Sequence, residues 1–384
     1  MKSKIVHVTE AFGGGVLSFL VDLCNRSVAA GYDVVVVYSE RDETPENVRA
    51  LFDPAVRLVR IRMHRAVRPL HDLVGVVRLA QWLRSERPDV VHLHSSKAGV
   101  LGRVAARLGS GHARVIYSPH GLSFLRSDVP RWQQRLYLTF EKLADSLGGT
   151  VVACSLGELD ELRRRVRARN ARLIENGVET DHVPRRTLRD DDRTVVGMMG
   201  RASYQKNHEW FLAIAARLAR PELEFVWIGG EAGAAGQGAT VRCTGWVPRS
   251  EALTAMAGLD LYVQTSRWEG MPLAVIEAQV AGIPAVVTNV IGNRDIVVHG
   301  TTGFIASSLD EMTECVDRLS RDRALRESMA DAATRIATAR FRVESKFRQW
   351  TSLYDDSVSY ATVSESAVAT HLDLEILLGK GEAR

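Results

Sequence analysis

Short runs of β-branched and apolar residues alternate with segments of helical period along nearly the whole chain. In the first half the runs are Ile5–Val8, Val34–Tyr38, Val90–Leu93, Val115–Ser118 and Val151–Ala153. In the second they are Thr194–Met199, Glu224–Ile228, Val241–Thr244, Leu261–Gln264, Ala285–Thr288 and Gly303–Ile305. Most are continuously apolar, the mark of parallel strands covered on both faces. Two such series in tandem predict two doubly wound α/β domains. Ligands of such sheets lie outside the carboxyl ends of the strands, so a cleft between the domains is the default site. The polar segment Arg185–Arg193 is the expected join, giving domains over residues 1–185 and 186–342. Helices are expected at Ser320–Thr338 and Val343–Tyr354, the latter reaching to about 358 with Phe347, Trp350 and Tyr354 on one face. Residues 359–384 alternate too weakly to assign.

The stretch from Leu261 to Thr288 carries the most chemistry. Pro272 suits a first helical position, where its missing N–H is an orphan anyway. Gly282 suits the left-handed position past the helix end, and Pro284 prevents continuation. The unit is therefore strand, loop, helix and strand, with Glu269 on the loop and Glu277 on the helix. The N–H groups of Leu273, Ala274 and Val275 face out of the helix start, which favours an anion by roughly 0.3–1 kcal/mol. Helical side chains tilt toward the N-terminus, so Glu277 reaches back toward the same pocket. A carboxylate does not sit on a phosphate, but it accepts hydrogen bonds from a diol beside one. A sugar nucleotide has that chemistry.

Gly200-Arg-Ala-Ser-Tyr-Gln-Lys-Asn207 follows the first strand of the second series. Arg201 supplies a planar fork and Lys206 a point charge, a pair suited to a diphosphate. Asn207 is placed to cap the helix beginning at His208. In the first series, Gly13-Gly14-Gly15 lies between a strand and a helix, where backbone can approach a ligand closely. Its pattern is not the dinucleotide Gly-x-Gly-x-x-Gly, which disfavours a nicotinamide dehydrogenase. His120 follows the fourth strand, at the ligand edge. His92 and His94 would share one strand face, with no third metal ligand evident beside them. The run Arg57–Arg87 is rich in arginine, as is Arg163–Arg172, read as a basic helix and linker. Such faces are either solvated, or in contact with anionic lipid head groups or a pyrophosphate-linked acceptor.

Composition narrows the class without choosing the reaction. The chain has 384 residues, 46% apolar and 25% charged, as in ordinary globular proteins. A net charge of +4 is compatible with anionic ligands or a membrane surface and too weak to argue for nucleic acid. Cys24, Cys154, Cys243 and Cys315 lack metal-ligand spacing and are expected as reduced, buried residues of a cytoplasmic protein. The first residues pass directly into a strand with no secretory signal, and no apolar run approaches the ~20 residues of a membrane span.

Together these motifs resemble retaining glycosyltransferases of the GT-B fold, in the large family-four group, over nearly the whole length. Carrying the resemblance are the glycine-rich first loop, Pro119-His120-Gly121, Asn176-Gly-Val, Gly-Arg…Gln-Lys-Asn207, Gly245-Trp-Val-Pro and Glu269-Gly-Met-Pro-Leu-x-x-x-Glu277-Ala. The opening of the chain and His92-Leu-His-Ser-Ser-Lys-Ala-Gly99 look like enzymes that build bacterial capsule or lipopolysaccharide repeat units. The resemblance implies that Arg201 and Lys206 hold the donor diphosphate and Glu277 the ribose hydroxyls. It implies that Glu269 binds hydroxyls of the transferred sugar, with Gly270, Met271, Pro272 and Leu273 near the β-phosphate and Val247 at the base. His120 would assist at the sugar, and Gly14 and Gly15 would approach the phosphates from the other domain. The last helix would cross back onto the first domain. Ala202 stands where the family usually has a bulky residue.

The resemblance implies a reaction that retains the anomeric configuration and uses no metal or other cofactor; that no Asp-x-Asp metal motif serves the phosphates is consistent with this. The donor would be a nucleoside-diphosphate sugar, UDP-linked more commonly than GDP-linked. The acceptor would be a glycan or lipid-linked hydroxyl, with peripheral contact at the inner face of the cytoplasmic membrane. The alternatives are a sugar-nucleotide epimerase or hydrolase on the same fold, or a non-catalytic sugar-nucleotide-binding protein.

Overall fold

The computed structural model describes residues 2–63, 68–189, 191–231 and 241–355. The tail 359–384 and the centre of the basic run, residues 64–67, lie outside them. The chain forms two compact units, one ending at Asn176 and resuming at Lys346, the other Gly177–Ser345. The division thus falls earlier than the expected join. Val178 is already part of the second unit, its N–H bonded to the Phe341 carbonyl and its own carbonyl accepting from Val343.

The first unit holds a seven-stranded parallel sheet: β1 (Lys4–Thr9), β2 (Asp33–Tyr38), β3 (Arg57–Arg60), β4 (Val90–His94), β5 (Arg114–Ser118), β6 (Thr150–Ala153) and β7 (Ala171–Leu173). Their order is β3-β2-β1-β4-β5-β6-β7. Apolar side chains project from both faces, as continuous runs require. Val6, Val8, Val91, Leu93 and Tyr117 pack beneath helices Pro69–Glu86, Ser96–Gly109 and Arg131–Asp145. Ile5, Val34, Val36, Val90 and Ile116 pack against helix Gly14–Ala29 and the last helix, Val343–Asp355. From that last helix, Trp350, Leu353 and Tyr354 enter this core.

The second unit has six parallel strands: β8 (Thr194–Met199), β9 (Leu223–Ile228), β10 (Val241–Cys243), β11 (Leu261–Gln264), β12 (Ala285–Thr288) and β13 (Gly303–Ala306). Their order is β10-β9-β8-β11-β12-β13. In each sheet the order reverses beside its first strand, between β1 and β4 and between β8 and β11. Loops leaving those strands diverge and open a crevice at the carboxyl edge. That topology places Gly13–Gly15 and Gly200–Lys206 at switch points.

Several local expectations change. The edge strands β3 and β7 were not anticipated. Arg57-Leu-Val-Arg60 is flanked by charge and only half-buried, as suits an edge. Within Arg163–Arg172, a π-helical turn ends at Val166, Arg167 turns left-handed, and the chain then enters β7. Pro272 is the flanking residue of helix Leu273–Ala281 and not its first residue. Asn207 stands at the helix boundary in a left-handed conformation, and its side chain makes no capping bond. The expected helix from Ser320 is interrupted at Asp322, whose carboxylate accepts from the Leu325 N–H and starts a new helix. All four cysteines are free, but Cys243 and Cys315 are only half-buried.

Candidate active site

In the second unit, the β8 and β11 loops meet through Lys206 and Glu269. Lys206 Nζ lies 2.8 Å from Glu269 Oε1. The same oxygen accepts from Ser266 Oγ at 2.7 Å and Gln264 Nε2 at 3.1 Å. Gln205 reaches the other oxygen at 3.4 Å. Oε1 is saturated, so Oε2 keeps the capacity to accept from a ligand hydroxyl. An ammonium has three donors, so Lys206 has capacity for an anion beyond its bond to Glu269. Its stem packs across Gly200, whose carbonyl accepts from Trp227 Nε1 at 2.7 Å. Arg201 is exposed on the same loop.

The start of helix Leu273–Ala281 lies beside this pair in the chain. The Val275 and Ile276 N–H groups turn back to the Pro272 carbonyl, leaving Leu273 and Ala274 at the front. That revises the expected three donors to two. Gly282 closes the helix at φ +83, as its sequence position suggested. Gly270 is backed by Gly292: a Cβ at Gly292 would come within 2.4 Å of the Gly270 carbonyl oxygen. The loop of Gly270, Met271 and Pro272 is thus buried against that turn.

Glu277 is fully buried. Arg249 pairs with its Oε1, while Oε2 has no hydrogen-bond partner among the described residues. Burial raises the carboxyl to about 7, with Arg249 pulling the other way. Such an unmet acceptor is what a ribose diol would satisfy. Arg249 escaped the sequence reading although it follows Gly245-Trp-Val-Pro248 directly. Val247 is half-buried in that motif, next to Trp246, which is 79% exposed.

In the first unit, Gly14 adopts φ +52, and a Cβ on Gly14 or Gly15 would meet nothing within 4 Å. Both therefore border open space. His120 is left-handed at φ +54, a conformation that costs a non-glycine residue about 1 kcal/mol or more. Buried Glu158 holds it there, accepting from Gly121 N–H at 2.9 Å and from Cys154 N–H at 2.8 Å.

His120 ends a chain of imidazoles. His7 Nδ1 lies 3.0 Å from His94 Nε2, and His94 Nδ1 lies 3.0 Å from His120 Nε2. Desolvation lowers His7 to about 3 and His120 to about 4, and holds His94 well below its ordinary value, so all three are neutral near pH 7. Each then has one donor and one acceptor nitrogen. His7 Nε2 is buried and unpartnered among the described residues. A bare lone pair there costs less than an orphaned N–H. The favoured order is therefore His7 Nδ1–H to His94 and His94 Nδ1–H to His120. It leaves His120 with a proton on Nδ1, a donor and not a base.

His7 also corrects the reading of His92 and His94. It is the third imidazole of a group whose ligand nitrogens lie within 4.8 Å of one another. His7 pairs with His92 across β1 and β4, a proximity that linear spacing could not reveal. His92, however, already bonds Tyr354 and Ser118, and His94 bonds His7 and His120. A metal would have to displace those bonds.

The profile of Glycosyltransferase Family 4 matches residues 13–182, and that of Glycosyl transferases group 1 matches 179–336. The UDP-Gal:alpha-D-GlcNAc-diphosphoundecaprenol alpha-1,3-galactosyltransferase of Escherichia coli is 27% identical over 346 residues, covering 83% of this chain and 86% of its own. The capsular polysaccharide biosynthesis glycosyltransferase CapM of Staphylococcus aureus is 24% identical, covering 82% and 86%. Among solved structures, sucrose-phosphate synthase from Thermosynechococcus elongatus superposes with a TM-score of 0.78 at 18% identity, covering 92% of this chain and 99% of its own. Anabaena HepE, solved with UDP and glucose, gives 0.73 at 18%, covering 93% and 100%. At that identity the structures speak for the fold alone. The chain belongs to the glycosyltransferases: it is a GT-B enzyme whose first half matches family 4 and whose second half matches the group 1 transferases.

Proposed function

We propose that this enzyme moves a sugar from a nucleoside-diphosphate sugar, UDP-linked, to a hydroxyl of a glycan or lipid-linked acceptor in bacterial surface polysaccharide assembly. The anomeric configuration is retained, and neither metal nor other cofactor takes part. The Lys206–Glu269 pair at the β8/β11 switch point carries this reading. It puts a cation for the leaving diphosphate beside a carboxylate for the sugar hydroxyls. The E. coli relative is named for transfer from UDP-Gal to a diphosphoundecaprenol-linked sugar, and HepE was solved with UDP, which supports donor and acceptor class.

Breaking the anomeric C–O bond moves negative charge onto the diphosphate and positive charge onto the ring. Arg201, Lys206 and the helix start at Leu273 meet the first. The Nδ1–H of His120 donates to a sugar hydroxyl, and Glu277 accepts from the ribose. Attack from the face of the departing phosphate, which takes the acceptor proton, gives retention. The test is product stereochemistry by proton NMR. A product with the donor's anomeric configuration upholds the reading, and an inverted one overturns it.

The enzyme works peripherally on an anionic membrane surface at the cytoplasmic side. Among the described residues no helix is long and apolar enough to cross a membrane. Helix Pro69–Glu86 turns Leu70, Leu73, Val74 and Val77 to solvent, with Leu70 78% exposed. Helix Arg131–Asp145 likewise exposes Trp132, Leu136 and Leu143 among Arg131, Arg135 and Lys142. The acids of these helices are withdrawn: Asp72 pairs with Lys97, Glu86 with Arg57, and Glu141 and Asp145 are buried. Apolar side chains ringed by cations alone suit an anionic interface.

A further inference from the structure

At the amino-terminal edge of the first sheet, the end opposite His120, a cavity of about 420 Å³ opens beside the first residues of β5 and β6. Arg103, Arg107, Arg114 and Arg172 line it together with Ser110 and Asn170, and no acidic residue does. Two of these groups are buried without hydrogen bonds. Arg103 is 2% exposed, and none of its three nitrogens has a partner among the described residues. Ser110 is equally buried, with its Oγ unpartnered. The Arg103 guanidinium lies 4.6 Å over the Tyr117 ring, a contact that satisfies none of its five N–H donors. Glu141 shares the electrostatic field of Arg103 but accepts its hydrogen bond from the Tyr117 hydroxyl.

Helix ends explain only part of this positive charge. Residues at or just past the ends of helices Ser96–Gly109, Arg131–Asp145 and Val343–Asp355 line the cavity. Each end carries about half a negative charge. Arg114 answers the last of them, donating to the carbonyls of Leu353, at 3.3 Å, and Tyr354. The buried Arg103 guanidinium answers none of these ends with a hydrogen bond, so among the described residues its donors remain unmet beside the cavity. Guanidinium forks match phosphate oxygens in pairs. The volume exceeds the need of a single phosphate and lies in the range of small-molecule sites.

We propose that this cavity is a second anion site, distinct from the donor site of the second unit, which takes a small molecule bearing a diphosphate or several phosphates. Arg103 and Ser110 form its wall, and Arg107 and Arg172 complete the cradle.

Inorganic pyrophosphate is the probe, titrated calorimetrically at constant ionic strength into protein carrying Arg201→Ala and Lys206→Ala, so that the donor site does not capture it. The expected result is saturable one-to-one binding, weakened about tenfold by Arg107→Ala, as befits loss of one charged hydrogen-bond partner. Arg103→Met, which keeps the apolar stem, should abolish it. If that buried substitution unfolds the protein, Arg107→Ala and Arg172→Ala still decide the matter. Absence of saturable binding, or affinity unchanged by both of those substitutions, overturns the proposal.

Discussion

Glu277 is the side chain whose chemistry depends most on its surroundings. Because burial raises its carboxyl to about 7, it is largely protonated at pH 6 and ionised at pH 8. In the proposed ribose-binding role only the ionised form can accept from both hydroxyls, so affinity for free UDP should rise between those values, by up to about tenfold per pH unit below the pKa. In Glu277→Gln that rise should vanish and binding should be weak throughout; calorimetry at pH 6, 7 and 8 checks both. The stability sign is opposite. A raised carboxyl favours the fold below its unfolded value near 4.5, and that advantage is lost as pH climbs through about 7. Glu277→Gln should therefore raise Tm at pH 8. Lys206→Ala should lower kcat by roughly 10²–10³ with a near-normal melting curve, since Ser266 and Gln264 still hold Glu269. Unchanged turnover would remove Lys206 from the mechanism. Glu269 and Glu277 stood out in the sequence because Pro272 and Gly282 mark locally where the loop of the first ends and the helix of the second runs. Arg249 and Glu158 did not, because Glu277 and Gly121, which they serve, lie on other elements of the fold.

Among the elements, the strands buried on both faces were legible, as were the second sheet's edges β10 and β13, but the first sheet's edge strands β3 and β7 were not. A strand covered on both sides must be apolar throughout, whereas β3 and β7 tolerate charge because one side has no neighbour. The histidine chain was illegible for another reason: it exists only once β1, β4 and β5 lie side by side. Its proton order is measurable. Nitrogen-15 NMR of histidine-labelled protein at pH 7 should find His120 protonated on Nδ1; a proton on Nε2 would reverse the order. The turn behind the Gly270–Pro272 loop offers a test with a different readout. Gly292 sits at φ +84 against the Gly270 carbonyl. Gly292→Ala should displace Gly270 and Met271, weakening UDP binding by about tenfold or more, with strain of roughly 1–3 kcal/mol on the fold. Unaltered binding would mean that Gly270 and Met271 do not touch the nucleotide.

At the scale of the whole molecule, the plan of two doubly wound units could be read from the two series of apolar runs. The division at Asn176 could not, because it depends on Val178 bonding to Phe341 and Val343, far along the chain. The outward faces of helices Pro69–Glu86 and Arg131–Asp145 were hidden too, since sequence alone does not say which apolar positions stay in water. Vesicles test them. The protein should sediment with phosphatidylglycerol-containing vesicles and not with pure phosphatidylcholine, and Leu70→Ser with Leu73→Ser should release it without lowering Tm. Self-association through these faces would instead appear as a dimer that the same substitutions dissolve. The central claim is transfer from a nucleotide sugar by the Lys206–Glu269 site. Its most direct measurement is mass spectrometry of a diphosphoundecaprenol-linked sugar incubated with a panel of UDP- and GDP-sugars. The predicted result is an acceptor heavier by one sugar residue with one donor, a product lost in Lys206→Ala. Donor epimerised or hydrolysed with no sugar added to any acceptor, or transfer undiminished in Lys206→Ala, would contradict the account.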